Sequence, residues 1–169
     1  MCIRDRDMKT KGGLYVTENR GNSWTALPVP AEIESVNHVE LSPDNQIYIA
    51  CGLSDGKPES GGVWMSANLG KNWNKIFHMP FVYQVGVAPY DVTRIAVAVG
   101  ENTEIQYRNS GAYLSFNGGD TWHKSNQGLG QPYWIVDLKW DLTDPDLIWC
   151  GLLGSGWYKG ELKCGRLLN

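Results

Sequence analysis

Three polar side chains, His38, Gln84 and Asp137, interrupt runs that are otherwise apolar. Imidazole, carboxamide and carboxylate are types that hold a ligand by hydrogen bonds. Hydrolysis of a glycoside asks for more, a pair of carboxyl groups about 5–10 Å apart. Asp137 with Glu32 or Glu34 supplies the residue types, but their spacing specifies no such pair. Beyond residues 1–10 the arginines are Arg20, Arg94, Arg108 and Arg166, scattered rather than set to converge on an anion. Asp141, Asp144 and Asp146 offer oxygen ligands for calcium, without the glycine and closing glutamate of an EF-hand loop, so a solvated turn accounts for them. Cys2, Cys51, Cys150 and Cys164 form no C-x-x-C pair and stand near no paired histidines. They read as small apolar thiols in or near strands. No phosphate loop, nucleophile elbow or zinc signature is present, so the motifs name no catalytic residue, metal or cofactor.

The elements that must position these residues are written as a repeat. TENRGNSW at 17–24, SANLGKNW at 66–73 and SFNGGDTW at 115–122 place Trp24, Trp73 and Trp122 at successive intervals of 49 residues. A Gly-led aromatic run precedes each phrase: GGLYV from Gly12, GGVWM from Gly61 and SGAYL from Ser110. A period near 50 means that each unit is one supersecondary element that stacks on its neighbours. Four strands are predicted per unit. The first holds Val36, Val39 and Leu41, then residues 82–87, then 134–140; the second covers 46–50, 94–98 and 147–150. The aromatic run is the third strand and the phrase's tryptophan opens the fourth. Turn formers separate first from second, and no 3.6-residue apolar period persists, so no helix longer than a turn is expected.

Within the phrase, Asn19, Asn68 and Asn117 sit where a short side chain accepts backbone N–H bonds. Gly21, Gly70 and Gly119 supply positive φ. Thr17, Ser66 and Ser115 end the third strand with a hydroxyl that can bond across the turn. Trp24, Trp73 and Trp122 are expected to bury their rings beneath it. The phrase is a structural staple and not a catalyst.

The pattern S/T-x-D/N-x-G-x-x-W behind a Gly-led aromatic strand resembles the Asp-box, or bacterial neuraminidase repeat, with Asn in place of the commoner Asp. The likeness covers roughly residues 11–160. It implies an all-β fold, a partial β-propeller of four-stranded antiparallel blades with two full blades and two partial ones. Residues 137–146 look most similar to sortilin-type domains, photosystem II assembly-factor-like proteins and bacterial glycosyl hydrolase repeat proteins.

For a propeller, the resemblance places ligands where the first strands begin. Aligning Val39, Val85 and Leu138 makes His38, Gln84 and Asp137 equivalent, with Tyr83, Tyr133 and Trp134 beside them; these six are the candidate ligand-binding residues. Plain strand alternation with one polar face gives the same pattern. Of eight tryptophans, Trp24, Trp64, Trp73, Trp122, Trp140 and Trp149 read as core, with Trp149 set against Ile49 and Val97. Trp134 and Trp157 remain for stacking on a sugar. The expected function is a non-catalytic scaffold that presents loops to a protein, peptide or glycan. The alternative is part of a sialidase- or xyloglucanase-like glycoside hydrolase whose catalytic residues lie in other blades.

A net charge of −3 leaves no basic footprint for nucleic acid, and no apolar stretch is long enough for membrane insertion. Residues 1–10 fall outside every repeat and read as a non-native or disordered leader, and MCIRDR resembles a translated sequencing-adapter scar. Residues 11–169 then form one propeller fragment. Its remaining partners are the other blades of a parent chain, and by itself it is expected to self-associate through open blade faces.

Overall fold

The computed structural model describes residues 13–101, 109–130 and 134–162. Residues 1–10 lie outside that set, as do Cys2, Arg108, Tyr133, Cys164 and Arg166. Four antiparallel sheets follow one another along the chain. The first pairs β1 (Leu14–Val16) with β2 (Thr25–Leu27). The second is a meander of β3 (Val36–Leu41), β4 (Ile47–Cys51), β5 (Gly62–Ser66) and β6 (Asn74–Phe77). The third repeats it with β7 (Val82–Ala88), β8 (Asp91–Val99), β9 (Gly111–Ser115) and β10 (His123–Lys124). The fourth has β11 (Ile135–Trp140), β12 (Leu147–Leu152) and β13 (Gly156–Glu161). The helical content among the described residues is one 3-10 turn, Pro58–Ser60.

The core lies between sheets. Leu14 and Leu27 pack with Ile47, Ile49 and Trp64; Tyr48, Ala50 and Val63 with Val85, Val97 and Tyr113; Ala96, Ala98 and Leu114 with Leu138, Ile148 and Cys150. The second strands β4 and β8 are thus covered on both faces, which is why they read as continuous apolar runs rather than alternating ones. Buried Ala96, Ala98 and Ala112 let the third and fourth sheets approach closely, and the Trp140 indole donates to Gly86 O at 3.2 Å.

Each phrase forms the same tight turn. The Ser or Thr hydroxyl accepts the glycine N–H, at 2.8 Å (Gly21 to Thr17), 2.9 Å (Gly70 to Ser66) and 2.9 Å (Gly119 to Ser115). That hydroxyl donates to the asparagine Oδ1, which also accepts the backbone N–H of Ser23, Asn72 or Thr121. The chain must turn left-handed at two consecutive residues, Arg20-Gly21, Leu69-Gly70 and Gly118-Gly119. The glycine meets that demand without Cβ strain, while Arg20 and Leu69 adopt φ of 59° and 55°.

The tryptophans correct the expectation of uniform burial. Trp73 and Trp122 are half-buried and reach back to the preceding sheet, donating to Pro28 O at 2.8 Å and Ile76 O at 3.1 Å. Trp24 has no described sheet before it and is 39% exposed. The ring therefore clamps sheet to sheet instead of filling the turn. Trp149 is likewise not core, being 40% exposed. Cys150 pairs with Leu138 as Ile49 pairs with Val39 and Val97 with Val85, so Trp149 matches Tyr48 and Ala96 on the opposite face.

Candidate functional site

The first strands β3, β7 and β11 lie side by side and share one irregularity. Their pairing slips between Val36 and His38, between Val82 and Gln84, and between Ile135 and Asp137. Asn37, Tyr83 and Val136 are the extra residues of three equivalent β-bulges. A bulge re-aims the side chains next to it, and here those are His38, Gln84 and Asp137. Their cross-strand partners are the small residues Ala50, Ala98 and Gly151.

The structure brings these three together. Gln84 Nε2 donates to Asp137 Oδ1 at 2.9 Å, and the same nitrogen lies 3.5 Å from His38 Nε2. Gln84 is buried, and its Oε1 and His38 Nδ1 are buried without a hydrogen-bond partner among the described residues. Two residues further on, the same face carries Glu40, Gly86 and Lys139. Lys139 Nζ is 3.9 Å from Asp137 Oδ1. This second row was open to a period-two reading from His38 and Asp137, but a sequence gives no sign that the bulges bring the strands into common register.

Burial lowers the His38 pKa from the ordinary 6.5; Asp137 opposes the shift, Lys139 adds to it and the Val85 backbone opposes it. Burial raises the Glu40 carboxyl from 4.5, against the Val87 backbone and Lys139. The Cys150 thiol, behind Asp137, is pushed up to about 11 by burial and then by that carboxylate. Because the folded imidazole binds its proton less readily than the unfolded one, His38 supports folding fully above pH 6.5 and progressively less as pH falls toward its folded value. Glu40 acts oppositely, supporting folding below 4.5 and losing that support as pH rises through its raised value. Urea midpoints measured from about pH 7 down to pH 5 are expected to fall, and His38→Gln to flatten that fall. An unchanged slope in the variant would assign the pH dependence elsewhere.

Around this row, Tyr83 is exposed on its bulge with its ring edge-on to Phe81, centroids 5.6 Å apart. Trp134 is 48% exposed just before β11, and its carbonyl accepts the Leu153 N–H at 2.8 Å. Tyr133 lies outside the described residues. Asn37 ties the second and third sheets together, donating to Gly52 O at 2.7 Å and Val82 O at 2.9 Å.

The other chemical candidates are engaged elsewhere. Glu34 Oε2 accepts the Lys57 N–H at 3.2 Å. Arg94 binds Asp91 at 3.3 Å and the Pro145 carbonyl at 2.8 Å. Asp141 holds its own turn through Thr143 and Asp144, and its Oδ2 accepts the Trp149 indole N–H at 2.8 Å. That indole bond, followed by those to Thr143 and Asp144, keeps the Asp141 carboxyl well below the usual carboxylate range. Among the described residues, no three His, Cys, Asp or Glu side chains are grouped to hold a metal ion. What the hub presents is a hydrogen-bonding row with exposed aromatic rings at its end, an arrangement suited to holding a polar ligand.

Neither a family model nor a curated protein matches the chain. Among solved structures, it is similar to the GH74 xyloglucanase from Xanthomonas campestris, with a TM-score of 0.71 and 19% identity over 91% of this chain and 24% of that one. It is also similar to the Niastella koreensis GH74 enzyme, with a TM-score of 0.66 and 21% identity over 90% of this chain and 25% of that one. An ancestral GH74 enzyme gives 0.64 and 19%, over 88% of this chain and 20% of its own. The chain thus spans a quarter or less of the length of these enzymes, and at such identities the likeness speaks to fold. Together with the two four-stranded meanders and their flanking sheets, it identifies the architecture as a partial β-propeller of four-stranded antiparallel blades.

Proposed function

We propose that this chain is a segment of an Asp-box propeller that binds without catalysing, presenting the ends of its inner strands to a protein, peptide or glycan. The observation that carries this reading is the contact of Gln84 with both Asp137 and His38 across three adjacent inner strands, beside exposed Tyr83 and Trp134. Asp137 is occupied by Gln84 and Lys139, a setting for orienting a ligand rather than for donating or abstracting protons. Aromatic rings at such a rim supply stacking area for sugars or side chains at little entropic cost.

A glycan and peptide array probed with the chain tests the reading. Trp134→Ala and Tyr83→Ala each remove an exposed ring, so the fold should persist while affinity falls about tenfold, the equivalent of roughly 1.4 kcal/mol. Binding that survives both substitutions removes this rim from the function.

The likeness to the Xanthomonas campestris xyloglucanase favours a second reading, in which the chain belongs to a glycoside hydrolase. In that reading the catalytic residues lie in other blades, and release of reducing ends from xyloglucan only when the chain is joined to further blades would favour it over the binding scaffold.

A further inference from the structure

The third phrase carries a reactive pair that the other two lack. Asn117 is followed by glycine, whereas Asn19 precedes Arg20 and Asn68 precedes Leu69. No other asparagine in the chain stands before a glycine. In such a pair the glycine nitrogen can attack the Cγ of the asparagine before it, because no side chain crowds its approach. A Cγ–N bond forms, the Cγ–Nδ2 bond breaks, and ammonia leaves with the proton of the glycine N–H. Water then opens the cyclic imide. Opening at one carbonyl gives aspartate, and opening at the other gives isoaspartate, whose main chain runs through the former side chain.

The folded turn ties up both reacting groups. The Gly118 N–H, whose proton must be lost for attack, donates to Thr93 O of β8 at 2.9 Å. The Asn117 amide is held at both ends. Its Oδ1 accepts from Ser115 Oγ and from the Thr121 N–H, each at 3.0 Å, and its Nδ2 donates to Thr121 Oγ1 at 2.9 Å. Yet Asn117 and Gly118 are exposed, and the strand that follows, β10, pairs with β9 through two residues, His123 and Lys124. A rim turn anchored in this way opens more often than the sheet behind it.

We propose that Asn117 is a site of spontaneous deamidation gated by opening of its own turn, so that modified chains accumulate with the time the turn spends open. The two products differ in what they can rebuild. Aspartate keeps the acceptor that Ser115 and Thr121 use, and the Thr121 hydroxyl can reverse to donate where it had accepted from Nδ2. It also writes the acidic member of a phrase that takes either Asp or Asn at this place. Isoaspartate lengthens the main chain by a methylene between Ser115 and Gly119, displacing the Gly119 N–H from the Ser115 Oγ that accepts it at 2.9 Å. This chemistry is independent of any ligand at the inner strands.

Peptide mapping by mass spectrometry in mildly alkaline buffer tests it, with Asn19 and Asn68 as internal references. In guanidinium chloride, Asn117 is expected to be lost several-fold faster than either reference, and Gly118→Ala to bring it down to their rate. In the folded chain its loss is expected to be about a hundredfold slower than in denaturant. Ser115→Ala deletes the hydroxyl that bonds both Asn117 and Gly119, and is expected to speed the native-state reaction about tenfold. Ser66→Ala makes the same deletion in the second phrase and should leave the Asn117 rate within about twofold, which separates local opening from a general loss of stability. After removal of denaturant, aspartate is expected in the refolded fraction and isoaspartate in the misfolded one. Equal loss of the three asparagines in denaturant, or equal Asn117 rates in folded and unfolded chain, overturns the proposal even where a serine variant fails to fold. Equal acceleration by the two serine variants overturns it as well.

Discussion

Gly61→Ala is expected to destabilise the chain by more than about 3 kcal/mol. Backbone conformation is not the reason, since Gly61 has an ordinary φ of −84°. A Cβ there would lie 2.0 Å from Pro80 O, 2.2 Å from Pro80 C and 2.5 Å from Met79 O, all backbone atoms of the segment joining β6 to β7. Gly52 would likewise place a Cβ 2.3 Å from the same Pro80 oxygen. The carbonyl lies against both glycines, in the segment that passes from the second to the third sheet. Domains are stable by only about 5–15 kcal/mol, so an overlap that no rotamer relieves consumes a large share. Gly118→Ala supplies the contrast. Its φ is +72° but nothing lies within 4 Å of a Cβ, and the equivalent residues are Arg20 and Leu69. A loss of about 1 kcal/mol is expected there. Urea unfolding followed by tryptophan fluorescence separates the two, and a Gly61→Ala midpoint equal to that of the unmodified chain would refute the close approach.

Trp122→Ala is expected to cost about 3 kcal/mol, whereas Trp24→Ala costs less than about 1, although both tryptophans close the same phrase. The Trp122 ring packs against Phe77 with centroids 4.6 Å apart, and its N–H donates to Ile76 O and to Gly119 O. Both Phe77 and Ile76 belong to the previous sheet. Truncation opens a cavity there and strips the Ile76 carbonyl of its donor. Trp24 has no such partner among the described residues. Trp122→Phe should retain most of the packing and lose about 1 kcal/mol with the indole donor. Unfolding midpoints for the three variants check the ranking, and equal losses at 122 and 24 would mean that the ring acts within its own turn.

The sheets were legible because the repeat is local: hydroxyl, asparagine, glycine and tryptophan at fixed offsets specify one turn, and that turn separates third from fourth strand. The continuous apolar runs 47–51 and 95–99 marked strands covered on both faces. Solvent exposure was less legible, because it depends on which sheet stands alongside. Trp24 and Trp122 have identical places in their phrases and different surroundings. Trp149 was assigned to the wrong face because it was set against Ile49 and Val97, and the face alternates with every residue. The closeness of His38, Gln84 and Asp137 could be suspected from alignment to Val39, Val85 and Leu138. The hydrogen bonds among them depend on bulges, which leave no mark in residue type: the bulge positions hold Asn37, Tyr83 and Val136, with nothing chemical in common.

That dissimilarity is itself informative about how such a protein can change. A residue in the bulge is excused from the ladder, so exchanging it leaves strand alignment undisturbed, although Asn37 carries the added duty of bonding to Gly52 O and Val82 O. Polar, aromatic and aliphatic side chains already occupy the three places. Recognition can thus diverge one blade at a time while the scaffold beneath keeps its geometry.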